Sequence, residues 1–111
     1  MATKTPIVWK MNGKEFTGRL GVNEIIQVEQ ELGAGLAKIT DKMGMGSTRM
    51  ILQKAASRLN QNLKVKDFFK DFEDEVEENG LEGLILVSMD ILKASGALGK
   101  NEEEEKKSGE E

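Results

Sequence analysis

The spacing of apolar positions along the chain changes near residue 20, and the change separates a short extended part from a long helical one. Ile7-Val8-Trp9-Lys10-Met11 and Lys14-Glu15-Phe16-Thr17-Gly18-Arg19-Leu20 flank the dipeptide Asn12-Gly13. Asn-Gly favours a type I′ turn because both central residues need positive φ, which Asn tolerates and Gly adopts freely. Register follows from the turn. Trp9 falls opposite Phe16 and Ile7 opposite Gly18 on one face, and Lys10 opposes Glu15 on the other. A lone hairpin is marginal in water, so the Trp9 and Phe16 face must rest on the helices that follow.

Beyond residue 20 the period lengthens to three and four. Asn23 is placed to cap a helix with Ile25, Val28 and Leu32 inward, Glu24 and Glu29 outward and Gly33 as its stop. Leu36, Ile39 and Met43 mark a shorter helix ending at Gly44, which depends on packing because of its length. Ser47 or Thr48 caps a third, with Ile51, Leu52, Ala55, Leu59 and Leu63 as its buried stripe. Val65, Phe68, Phe69, Phe72 and Val76 form one stripe of a fourth helix whose other faces are almost wholly acidic, and the Phe cluster reads as core. Asn79-Gly80 closes it. A fifth runs from Leu81 to Leu98 with Leu84, Val87, Ile91, Leu92 and Leu98 inward. The pattern predicts a mostly α fold: an N-terminal β-hairpin, about five amphipathic helices and a disordered acidic C-terminal tail. The predicted boundaries are a flexible N-terminus over 1–6, a single helical domain over 7–99 and the tail over 100–111.

Composition narrows the chemistry. The 111 residues contain no Cys and no His, which removes disulfides, thiolate nucleophiles, structural zinc and the usual general base. An enzyme is not expected, and neither is a cofactor or a metal. Residues 1–65 carry ten Lys or Arg against five acids, net +5; residues 66–111 carry six against fifteen, net −9. Such an imbalance lets a basic helix and an acidic one pair within the chain, or offers a polar docking surface. Residues 100–111 hold six acids, three Lys and no apolar side chain, the composition of a solvated tail. No apolar leader segment is present and the richest apolar run, Leu84 to Val87, is far too short to span a bilayer, so a cytoplasmic protein is expected.

Glycine patterns fail when their chemistry is checked. Gly33-Ala-Gly35 and Gly44-Met-Gly46 lack the third glycine and preceding strand of a dinucleotide site. Gly96-Ala-Leu-Gly99-Lys100 is too short between glycines for a phosphate loop, and Asn101 stands where magnesium needs a hydroxyl. Asp71 to Glu78 lacks the ligand alternation and central glycine of a calcium loop. Two surfaces remain. Leu36 to Met43, the Gly44 turn and the basic third helix have a helix-turn-helix outline, with Ser47, Thr48, Arg49 and Gln53 at the start of a reading helix; an acidic chain weighs against this small DNA-binding regulator. On the fifth helix, Leu86 and Met89 share a sector with Glu82, Asp90 and Lys93, which suits contact with a partner helix.

Taken in order, Trp9-Lys-Met-Asn-Gly-Lys-Glu-Phe16, the capped segment Val22-Asn-Glu-Ile-Ile-Gln-Val-Glu-Gln-Glu-Leu-Gly33, the short Gly35-Leu-Ala-Lys-Ile39, the helix entry Leu63-Lys-Val-Lys-Asp-Phe68, the break Glu78-Asn-Gly80 and a last helix running to Gly99-Lys100 resemble the small tail assembly chaperones of long-tailed bacteriophages, prophages and gene transfer agents. The resemblance spans roughly residues 7–100 and rests on the order of elements. It implies a non-enzymatic helical protein of the bacterial host cytoplasm, absent from the mature virion. Such a protein binds and solubilises the hydrophobic tape measure protein and helps recruit tail tube protein around it. In many members a ribosomal frameshift appends a second domain; this chain matches the short form, and self-association is left open. No binding residue carries over from the family. The residues themselves put Leu86 and Met89 forward for apolar partner contact, and Glu102, Glu103, Glu104 and Glu105 for solubility or a basic partner.

Overall fold

The Asn12-Gly13 turn forms as its chemistry requires: φ is 56° at Asn12 and 76° at Gly13 in a computed structural model that describes residues 6–97. It joins strand β1 (Ile7–Met11) to β2 (Lys14–Gly18) in a two-stranded antiparallel sheet. The register is the expected one, with Trp9 opposite Phe16, Ile7 opposite Gly18 and Lys10 opposite Glu15. Five helices follow: α1 (Val22–Leu32), α2 (Leu36–Asp41), α3 (Met45–Leu59), α4 (Val65–Asn79) and α5 (Glu82–Ser95).

The hairpin packs through its aromatic face. Trp9 stacks on Phe16 with centroids 5.9 Å apart, and Phe16 meets Phe68 of α4 edge-on at 5.3 Å, so a ring ladder joins sheet to helix. On the other side β2 lies directly on α3. A Cβ at Gly18 would stand 2.6 Å from the backbone carbonyl carbon and oxygen of Ala55, so only a hydrogen at that position permits the approach. The Arg19 N–H then donates to the Ala55 carbonyl at 3.2 Å. α3 is the hub of the molecule, touching β2, α1, α4 and α5, and its Ile51, Leu52, Ala55 and Ala56 are buried in one core with Met11, Leu20, Val28, Phe68, Phe72, Leu84, Ile91 and Leu92.

Several local expectations change. α1 is capped at Gly21, two residues before Asn23, because Glu24 folds back to accept the Gly21 N–H at 2.8 Å. Glu29, expected in solvent, is half-buried and accepts the Leu36 N–H at 2.7 Å, which ties α1 to α2. α2 ends at Asp41, short of Gly44. α3 starts at Met45 with Gly44 as its cap; Ser47 lies inside the first turn and accepts the Gly44 N–H at 2.9 Å, while Thr48 is fully buried. The α3 stripe buries Ala56 in place of Leu59, which is 42% exposed, because β2 crosses the helix at Ala55 and Ala56. Val65 at the start of α4 is exposed too. On α5 Ser88 and Ser95 are buried beside Leu84, Ile91 and Leu92, and Val87 is half-buried against the core. Leu98 and the expected disordered segments, apart from Pro6, lie outside the described residues.

Candidate partner-binding surface

α4 presents three faces with three uses. Phe68 and Phe72 enter the core. Asp71, Asp74 and Glu75 hold the hairpin tip: the Asn12 side-chain amide donates to Asp71 Oδ1 at 2.9 Å and Asp74 Oδ2 at 3.2 Å, the Asn12 N–H donates to Glu75 Oε1 at 2.8 Å, and Lys14 Nζ reaches Asp71 at 3.2 Å. Asp71 is only 5% exposed, so one carboxylate expected on a solvated acidic face is a buried joint between helix and sheet. A buried carboxylate is tolerable because cationic and amide donors satisfy it.

The third face is open. With Met45 and Arg49 at the start of α3 it encloses a groove of about 470 Å³ lined by Phe69, Phe72 and Val76 at its base and by Lys66, Lys70, Glu73 and Glu77 along its α4 rim. Arg49 lies over the Phe69 ring, 4.1 Å from its centroid, in cation–π geometry. Met45 is 52% exposed at the groove's edge. Sequence periodicity assigned Phe69 and Val76 to the core, yet both are half-buried here, since the first turn of α3 covers them only in part. The missed signal was the rim itself: 66, 70, 73 and 77 recur at four and three on one edge of the Phe stripe.

Leu86 stands 67% exposed on α5 among the exposed Glu82, Asp90 and Lys93. Met89 turns inward and packs against the core, so the pair does not make one continuous apolar patch. Glu102, Glu103, Glu104 and Glu105 lie outside the described residues. A second groove, of about 440 Å³, runs between β2 and the end of α3, lined by Phe16, Ala56, Leu59 and Leu63.

The residues expected to begin a reading helix are engaged within the fold to different degrees. Thr48 is buried, Ser47 is engaged with Gly44, Gln53 donates to Ser57 at 2.8 Å, and Arg49 covers Phe69. Further along α3, Lys54 pairs with Glu31 at 3.0 Å and Arg58 with Glu24 at 2.9 Å. The charge imbalance between the two halves is therefore answered first by α1, within the basic half. Burial pushes the Glu24 carboxyl up, but the Gly21 and Glu24 N–H groups and the Arg58 guanidinium outweigh it and hold the group below the usual glutamate range.

Among the described residues no cluster of acidic side chains is arranged to hold a metal ion, and no helix is long and apolar enough to cross a membrane. No protein-family model, curated protein or solved structure matches this chain.

Proposed function

We propose that the chain is a tail assembly chaperone of the long-tailed phage type, which binds apolar helical segments of a tape measure protein in the host cytoplasm, keeps that protein soluble and helps bring tail tube subunits to it. The observation that carries the reading is the α3–α4 groove: an apolar base about two helical turns long, from Phe69 to Val76, bordered by exposed charge, on a small helical chain. Such a surface offers apolar contact to a partner while its charged border keeps the unloaded protein dispersed. The order of elements, from the Trp9–Phe16 hairpin through the helix closed by Gly33 to the Asn79-Gly80 break, supports the same reading.

Leu86 supplies an additional exposed apolar contact on α5, and the acidic run Glu102 to Glu105 adds charge that opposes aggregation of the loaded complex. The test is co-expression of a tagged chain with the product of the very long gene expected downstream of it. Soluble long protein recovered with the tag is the expected result; an insoluble long protein beside a folded, soluble chain overturns the proposal. The same experiment without residues 100–111 shows whether the acidic tail takes part.

A further inference from the structure

The rim of the α3–α4 groove is written against the rules of helix stability. Lys66 and Lys70 are like charges at i, i+4, and so are Glu73 and Glu77. Lys66 sits in the first turn and Glu77 in the last, each at the end of α4 where the macrodipole disfavours its sign. All four side chains are exposed. Lys66, Glu73 and Glu77 have no ion-pair partner among the described residues, and Lys70 reaches only Asp74, at 3.4 Å and largely in solvent. Within the described fold only the exposed Lys70–Asp74 pair and Asp67 in the first turn of α4 offset this arrangement, and where local rules are broken on one face with so little internal compensation, an outside partner is the natural source of it.

From this we infer that the groove takes an amphipathic α-helix of another protein, one whose apolar stripe of about three turns carries acidic residues at one end and basic residues at the other. The eleven residue steps from Lys66 to Glu77 span roughly 16 Å, the length of three turns. The partner's apolar stripe meets Phe69, Val76 and Met45, its acids face Lys66, Lys70 and Arg49, and its bases face Glu73 and Glu77. A helix of one sign would be attracted at one end of the rim and repelled at the other. A second copy of this chain, laid antiparallel, would also bring opposite rim charges together, and sedimentation separates that occupant from a partner helix. The inference rests on the reading of the chain as a binder of apolar helices and adds the chemistry of what is bound.

The test uses three synthetic 18-residue helical peptides with the same leucine stripe: one with Glu in its first turns and Lys in its last, one with Glu throughout, one with Lys throughout. Binding is read by fluorescence anisotropy at low ionic strength. The wild-type chain is expected to bind the mixed peptide about tenfold more tightly than either single-sign peptide, the sum of several exposed pairs. Lys66→Glu with Lys70→Glu shifts preference to the all-Lys peptide, Glu73→Lys with Glu77→Lys shifts it to the all-Glu peptide, and the four changes together restore preference for the mixed one. Because the four residues are exposed, the variants keep their circular dichroism spectrum. Peptide preference indifferent to the rim, no binding at all, or a wild-type dimer in sedimentation that the double variants dissolve would overturn the inference. Failure of the wild-type chain to recover the long partner defeats the chaperone reading itself; recovery undiminished by Lys66→Glu with Lys70→Glu leaves that reading standing and defeats only this one.

Discussion

Gly18 and Glu24 show how much of this fold hangs on single atoms. Gly18 lets β2 touch the α3 backbone, so Gly18→Ala must push strand from helix or distort both; overpacking of this kind costs about 1–3 kcal/mol and should lower the melting temperature by about 5–15 °C. An unchanged melting temperature would show that the contact is loose. Glu24 is both the cap partner of Gly21 and the ion partner of Arg58. Its carboxyl is lowered in the folded state, so its contribution to stability is complete above the ordinary glutamate range and is lost as pH falls through the lowered folded value. Denaturant titrations at pH 7 and pH 3 should show the wild-type chain losing more stability on acidification than Glu24→Gln does. At this scale the sequence was only half legible. Asn12-Gly13 announces its turn because the requirement is local. The choice of Gly21 over Asn23 as cap was settled by Glu24 and by Arg58, 34 residues away, and only tertiary contact brings Arg58 there.

Among the elements, the hairpin and α4 depend on each other most. The aromatic ladder from Trp9 through Phe16 to Phe68 supplies apolar contact, and the Asn12, Lys14 and Asp71 joint orients the turn. Asp71→Ala should cost about 1–2 kcal/mol by leaving the Asn12 side-chain amide without its closer acceptor, and emission from Trp9, the single tryptophan, should shift toward the red as the hairpin loosens. An unshifted spectrum with unchanged stability would place the hairpin's anchoring in the rings alone. On α5 the two residues put forward for partner contact should separate: Leu86→Ser changes stability by less than about 0.5 kcal/mol, whereas Met89→Ser removes a side chain packed on the core and costs about 1–2 kcal/mol. Helical periodicity identified all five helices, since each buries a stripe. It placed Phe69 and Val76 in the core because a stripe of apolar residues reads the same whether another helix covers it wholly or in part.

For the molecule as a whole, α3 is the scaffold and α4 carries the open groove. α3 is surrounded by β2, α1, α4 and α5, and its cations are largely taken up by Glu24, Glu31 and the Phe69 ring. α4 keeps one face for the core, one for the hairpin and one for the open groove, and of the charges on that last face only Lys70 has an ion partner within the described fold. Hydrogen exchange of the chain, alone and in complex with the long apolar partner proposed for it, tests this division most directly. The account predicts added protection over residues 65–79 and at the start of α3 over residues 45–50, larger than any gain on α5 around Leu86. Protection confined to α5 around Leu86, or no complex to measure, would contradict it.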